Sequence, residues 1–252
     1  MPASGAGCRS RLRSIQIAVV LFSTAILVGC DLPRFGAPDP ASKEGDEVLT
    51  LWSGFFVTAG LVTLLIWVLL GWVLIRYRRR GRDDIPSQRA YHIPIEVVYT
   101  IIPVVMVIVL FTVSWRAESR ITDVASDPAV RVRVVGFQWG WRFEYGEGFA
   151  IESAPGEDPV LVLPEGRPTN LHLVSVDVAH SFWVPDFLNK RDLIPGVNNT
   201  ITVRPTRLGT YPGRCAEFCG LDHWRMQFKV RVVTPAEYAT WSAAQTKEAK
   251  GN

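Results

Sequence analysis

A chain of 252 residues, 48% hydrophobic and 20% charged, has room for one or two domains. Its net charge of +3 is small, and its arginines are clustered: Arg76, Arg78, Arg79, Arg80 and Arg82 crowd directly behind an apolar block. That position suits a membrane flank and argues against a nucleic-acid surface, so no nucleic-acid partner is expected. The apolar residues gather in three blocks near the front of the chain, which predicts membrane segments before any fold is considered.

Residues 1–29 read as a signal peptide. Arg9, Arg11 and Arg13 form a positive start, and Ile15 to Leu27 is an apolar stretch too short to span a bilayer as a helix. The block closes on Leu27-Val28-Gly29-Cys30, which resembles the lipobox of bacterial lipoproteins. The resemblance implies that Cys30 carries a thioether-linked lipid and begins the mature chain, with membrane lipid as its partner. Cys8 falls in the leader.

An arm with Pro and Gly occupies 30–47. The first membrane helix is expected over 48–77, with no charge between Glu47 and Arg76. Its length exceeds the ~30 Å hydrocarbon core, so it must tilt or project. A second helix is expected over 93–116, uncharged between Glu96 and Arg116. The arginine-bearing loop between them, 78–92, should be cytoplasmic. The arm and everything after the second span then lie outside, in agreement with an exported N-terminus.

From Val130 the period changes. Val130, Val132 and Val134 alternate with Arg131 and Arg133, the pattern of a half-buried strand. Short β-rich runs come after it at Val160–Leu163, Asn170–Val174, Asn199–Val203 and Gln227–Val233, punctuated by Pro and Gly. They predict an all-β sandwich or barrel over 128–236. The tail, 237–252, is rich in Ala, Glu and Lys, reads as a short helix and is assigned no chemistry.

The chemistry concentrates in Cys215-Ala-Glu217-Phe-Cys219-Gly-Leu-Asp-His223-Trp-Arg-Met226. Two thiolates, an imidazole and a thioether form a soft donor set that favours copper. Of the four histidines, His92 falls in the cytoplasmic loop and His172 in an alternating strand. His180, in Asp177-Val-Ala-His180-Ser-Phe, opens a turn after a strand and is the expected upstream partner. Cys219, His223, Met226 and His180 alone would make a mononuclear blue-copper site, which leaves Cys215 spare. Two bridging thiolates can instead join two coppers, each with one histidine and one weak ligand: Met226 for one, the Glu217 carbonyl for the other. Zinc with two Cys and two His, or a simple Cys215–Cys219 disulfide, are the competing readings. Met226 and the exported setting weigh against zinc, and a disulfide leaves His180, His223 and Met226 without a purpose.

The spacing Cys-x-Glu-x-Cys-x-x-x-His-x-x-Met, preceded by a His-Ser segment, resembles the Cu-A motif of cytochrome c oxidase subunit II. The likeness extends over the whole mature chain. It implies a two-helix transmembrane hairpin followed by a cupredoxin-like Greek-key β-sandwich, with His180, Cys215, Glu217 (carbonyl), Cys219, His223 and Met226 on a dinuclear copper centre. It also implies that the Glu217 carboxylate reaches magnesium at the boundary with subunit I.

Phe137-Gln138-Trp139-Gly140-Trp141-Arg142-Phe143-Glu144-Tyr145 resembles an aromatic segment of the same family. Trp139, Trp141, Phe143 and Tyr145 recur every second residue and would share one face of a strand. The resemblance makes Trp139 the residue through which electrons arrive; Gly140 replaces the usual aromatic. Glu96 stands where the family has a glutamate at the mouth of a proton path, with Tyr99 in place of a tryptophan. Arg191-Asp192-Leu193-Ile194-Pro195-Gly196 resembles a segment facing subunit I, with Val197 where an arginine is common. Glu144, Glu147, Glu152, Glu157, Asp158 and Glu165 form an acidic stretch, read as either a solvated loop or a docking patch for a basic cytochrome.

The expected function is that of the oxidase subunit accepting electrons from a cytochrome c and passing them to haem in subunit I. Oxygen reduction and proton translocation would occur there, in a bacterial plasma membrane, with the copper domain outside. Haems belong only to the partners, since no Cys-x-x-Cys-His is present. A membrane-tethered copper carrier and the copper subunit of a nitric oxide reductase are the alternatives. A quinol oxidase subunit would have no use for the complete ligand set.

Overall fold

The computed structural model describes residues 34–78, 88–154 and 157–251. The expected signal peptide, Cys30 and most of the arginine loop lie outside these residues. Two units divide the chain, Met1–Ala37 and Pro38–Asn252. Only a short turn of the first is described, and every described helix and strand belongs to the second.

Helix α1 spans Lys43–Arg76 and helix α2 spans Ile93–Ile121. Helix α1 starts five residues before the expected Val48. Ser42 caps it, its Oγ accepting from Gly45 N at 3.0 Å, and Glu44 and Asp46 occupy the first turn where the helix dipole favours acids. Helix α2 runs five residues beyond 116. No breaker intervenes, and Arg120 pairs with Glu47 at 2.9 Å across the two helices. At 1.5 Å per residue they reach roughly 51 and 44 Å, well beyond the hydrocarbon core. Hydroxyls inside the spans bond one turn back, as in Thr58 Oγ1 to Gly54 O at 2.8 Å and Thr112 Oγ1 to Ile108 O at 2.7 Å. The apolar stretch of neither helix is buried by the rest of the chain. These helices anchor the protein in a membrane.

Among the described residues ten strands follow: β1 Val130–Phe137, β2 Gly140–Tyr145, β3 Phe149–Glu152, β4 Val160–Pro164, β5 Thr169–Ser175, β6 His180–Val184, β7 Asn189–Leu193, β8 Asn199–Val203, β9 Gly209–Cys215 and β10 Gln227–Val233. They form two five-stranded sheets, ordered β3-β2-β1-β5-β8 and β4-β10-β9-β6-β7. The β1–β5 and β4–β10 pairs are parallel and the others antiparallel. This is the expected cupredoxin-like sandwich. Its core lies between the sheets: Val132, Val134, Phe143, Leu171 and Leu173 face Leu161, Phe182, Val184, Phe228 and Val230. Arg131, Arg133, Lys229 and Arg231 alternate outward.

Each strand expected from alternation lies within an observed one. The others lacked that signal for physical reasons. β7 (Asn-Lys-Arg-Asp-Leu) is a charged edge, β6 is buried almost throughout, and β9 carries Pro212 and two glycines. His180 opens strand β6, not a turn as expected. The tail is a longer helix than expected, α3 Pro235–Gly251, started by a reciprocal cap between Thr234 and Glu237. Trp241 fixes it by packing on Tyr145 and Phe149, both at 5.3 Å between ring centres.

Phe228 joins the sheets at the aromatic centre, stacked on Phe182 at 4.7 Å and edge-on to Trp141 at 5.1 Å and Phe143 at 5.8 Å. Truncation leaves a cavity that rigid neighbours cannot fill. Phe228→Ala should therefore cost about 4 kcal/mol, seen as a lowered denaturation midpoint of the detergent-solubilised protein.

Candidate metal centre

The site is built where β6 and β9 pair. Phe182 is opposite Cys215, which sets His180 and Cys215 on adjacent rigid strands. The chain then leaves the sheet as a loop and returns through a 3-10 turn, His223–Arg225, to Met226. Its base is closed by Cys215 N donating to Met226 O at 2.9 Å, and Ala216 N donates to Ser181 O at 3.1 Å. Three ligand atoms, from His180, Cys215 and Cys219, lie within 4.8 Å of one another.

The two thiols are free, buried and 3.9 Å apart. Each has its own imidazole. His180 Nδ1 is 3.8 Å from Cys215 Sγ, and His223 Nδ1 is 3.5 Å from Cys219 Sγ. Each also has its own weak donor, the Glu217 carbonyl 3.2 Å from Cys215 Sγ and Met226 Sδ 3.8 Å from Cys219 Sγ. All six expected residues converge. Soft sulfur with imidazole, buried except for the half-buried His223, fits copper.

Hydrogen bonds orient this set. Asp177 Oδ1 accepts from His180 Nε2 at 2.8 Å, which leaves Nδ1 turned to the thiols. Burial alone would raise the Asp177 carboxyl, but hydrogen bonds from His180, Gln138 and Val178 outweigh it and hold it below the usual range. Burial likewise opposes a charged His180, yet its bonds to Cys215 and Asp177 lift its pKa. For Cys215, burial is overcome by the bond with His180 and the thiol ionises readily; burial and the Cys215 charge push Cys219 up. The pair accepts one negative charge easily and resists a second.

Trp139 departs from the expected face. Trp141, Phe143 and Tyr145 are buried together on β2, but Trp139 lies in the two-residue turn before that strand and is 37% exposed. Its Nε1 donates to Cys219 O at 3.1 Å, beside Gln138 Nε2, which reaches the same oxygen at 2.7 Å. Gly220 permits this approach. Its φ is +118°, and a Cβ there would meet Gln138 Nε2 at 3.1 Å and Trp139 at 3.2 Å. The space an aromatic at 140 would need is held by the Phe137 ring, 2.8 Å from where a Cβ would be.

Two segments of the chain match profiles of one family. Residues 33–117 match its description as cytochrome c oxidase subunit II, transmembrane domain, and residues 152–233 match the periplasmic domain. A probable cytochrome c oxidase subunit 2 of Streptomyces avermitilis is 38% identical, over 91% of this chain and 85% of that protein. The chain belongs to the cytochrome c oxidase subunit II family. A cytochrome c oxidase subunit 2 of Mycobacterium tuberculosis is 30% identical over 95% of this chain and 84% of its own. The periplasmic domain of subunit II of Bradyrhizobium japonicum cytochrome oxidase resembles it at 29% identity and a TM-score of 0.46, covering 48% of this chain and 96% of that one.

All six candidate ligands lie in the stretch matched as the subunit II periplasmic domain, and Glu96 lies in the transmembrane match. Glu96 sits apart from the metal cluster and caps helix α2, accepting from His92 N at 2.8 Å. His172 is half-buried on β5, 3.1 Å from Thr200 Oγ1. In the acidic stretch, Glu144 pairs with Arg133 at 2.7 Å and Arg142 at 2.9 Å, and Asp158 with Lys229 at 3.6 Å. Glu157, Asp158 and Asp222 line a cleft of about 470 Å³ with Trp139 and Trp224. The Glu217 carboxylate points outward near Lys190, 3.9 Å away.

Sequence reasoning gave no role to Asp177 or Gln138, although both lie in segments it singled out. An aspartate three residues before a candidate ligand histidine was the available signal. Asp177→Asn loses the anionic acceptor that fixes the His180 tautomer. Copper affinity should fall roughly 10–100-fold, measured by competition with a chelator of known affinity.

Proposed function

We propose that this subunit II holds a dinuclear copper centre and is the part of a cytochrome c oxidase that receives electrons. His180, Cys215, the Glu217 carbonyl, Cys219, His223 and Met226 are its ligands. When bound, a copper pair supplies a one-electron relay whose charge is shared between two metals. The observation that carries this reading is the paired arrangement of donors. Two thiols lie side by side, and each is met by a separate imidazole and a separate weak donor. A single metal has no use for two of each.

Trp139 fits the place where electrons arrive, because its ring is exposed on one side and bonded to a ligand's carbonyl on the other. The donor is a cytochrome c, and the cleft beside Trp139, with three acids against the single Arg225, suits a basic partner. Electrons pass on to haem in subunit I, where oxygen is reduced to water and protons are translocated. The outward Glu217 carboxylate is available for magnesium at that boundary. Glu96, at the start of α2, stands at the mouth of a proton path. Both helices cross a bacterial plasma membrane, with the β domain on the extracytoplasmic face and a lipid on Cys30.

Serine is a harder, much less acidic donor than cysteine and cannot bridge two soft coppers. Cys215→Ser should bind less than the full copper complement and lose the mixed-valence signal in electron paramagnetic resonance. A mutant that keeps the copper content and spectrum of the unmutated protein would show that Cys215 is a bystander in a mononuclear site. Trp139→Phe should keep its copper while oxidation of cytochrome c slows markedly. Single-turnover electron acceptance equal to that of the unmutated protein would remove Trp139 from the route.

A further inference from the structure

The membrane anchor does not reach the β domain through a loose hinge. Before α1 is under way, the arm is laid against the sandwich. Ala41 N donates to Asp186 O at 2.7 Å, Thr206 N to Ala41 O at 2.9 Å, and Lys43 N to Arg204 O at 3.0 Å. Ser42 Oγ donates to Phe187 O at 3.1 Å, and Asp39 is paired with Arg207. Within the first turn of α1, Glu44 is only 4% exposed. Its carboxylate accepts from Arg204 Nη1 at 2.7 Å and from Arg204 N at 2.9 Å.

A buried ion pair is a poor way to gain stability, since apolar residues of similar volume often serve as well or better. What it does supply is direction: two hydrogen bonds to one carboxylate fix both distance and angle. The partners of the arm also matter. Asp186 and Phe187 belong to the 3-10 turn Pro185–Phe187, which comes directly after β6, and β6 begins with the candidate ligand His180. Ala41 and Ser42, just ahead of the membrane helix, are thus bonded to the turn that follows the strand carrying His180, and the helix's own first turn, through Lys43 and Glu44, is bonded to Arg204 directly after β8. The second connection is pinned as well, by Arg120 on Glu47 at 2.9 Å and Ala125 N on Thr202 Oγ1 at 2.8 Å.

We infer that the Glu44–Arg204 pair is a positioning element for the outgoing electron, holding the copper domain at a fixed height and angle on helix α1. The inference rests on the function proposed above. In each transfer one electron leaves the reduced site, which is oxidised by one, and a ferric haem in the partner becomes ferrous. Electron transfer falls steeply with separation, so a domain free to rock on its anchor loses rate at this step. Arrival of electrons from a diffusing cytochrome c is not sensitive to the joint, because the donor docks on the domain itself.

The test uses the assembled oxidase carrying Glu44→Gln, which keeps the shape of the side chain and removes its charge, and in parallel Glu44→Ala. Backbone hydrogen exchange at Ala41, Lys43 and Thr206 reports whether the joint has loosened. Copper content and the mixed-valence signal report on the site. Rapid kinetics separate reduction by cytochrome c from onward transfer to haem. We expect faster exchange at those three amides, an unaltered site, an unaltered rate of reduction and onward transfer slowed several-fold, more in Glu44→Ala than in Glu44→Gln. If Glu44→Ala does not assemble, Glu44→Gln decides alone. Unchanged exchange would mean that the pair does not hold the joint. Faster exchange with undiminished onward transfer would mean that the joint does not set the rate. Either result overturns the inference. Failure of the underlying reading is separate and visible first: the unmutated complex would itself lack two coppers per subunit.

Discussion

Two cysteine sulfurs held 3.9 Å apart in the interior of a β-sandwich set the terms for the rest of the domain. Ionised together and unaided they repel, and burial sharpens the repulsion. Cys215 is relieved by His180, whereas Cys219 is left resisting ionisation. Metal cations held by both thiolates would resolve the conflict, and the surrounding structure fixes the residues that would hold them. His180 and Cys215 are fixed by the pairing of β6 with β9, where Phe182 is stacked on Phe228 in the same sheet and packs edge-on against Trp141 of the facing sheet. Cys219, His223 and Met226 are on a loop, but a loop whose two ends are bonded to each other.

The polar groups behind the ligands form one connected system. Asp177 accepts from His180 and from Gln138 N, and the Gln138 side chain donates to the carbonyl of Cys219, where Trp139 also donates. The turn between β1 and β2 therefore touches both halves of the site. Around it the loop presents exposed Phe218, Leu221 and Trp224. Large apolar side chains exposed on one loop beside a polar cleft suit an interaction site, as expected if one protein delivers electrons here and another accepts them.

The sequence was most readable where the chemistry is local. Cys215 to Met226 is a single short stretch, and the metal-competent residues in it announce themselves by type and spacing. His180 was within reach because the chain has so few histidines. Strands with clean alternation, such as β1 and β10, were equally legible, and the apolar spans declared themselves by composition. Partners that meet only in space left no periodic trace. Glu44 and Arg204 are 160 residues apart, and nothing in either neighbourhood signals the other. Trp139 misled for the opposite reason: it keeps the two-residue rhythm of Trp141, Phe143 and Tyr145, but the strand begins after it. Rhythm identifies a face only while the backbone remains extended.

The two halves of the site are not equivalent, and the difference bears on how it can work. Cys219 is joined by His223 and Met226, and its carbonyl receives Trp139. Cys215 is joined by His180 and the Glu217 carbonyl, and the side chain of that same glutamate points outward beside Lys190. Trp139 therefore touches one half, and the residue proposed to face subunit I belongs to the other. With one metal on Cys219, His223, Met226 and His180, the Cys215 thiol and the Glu217 carbonyl would stand outside the site. Were both thiolates to hold two metals, every ligand would belong to one electronic unit. An electron arriving through the Cys219 carbonyl would then be shared with the Glu217 side. Trp139 is bonded to the Cys219 half and the Glu217 carbonyl lies against Cys215, and a bridged pair of metals would connect the two.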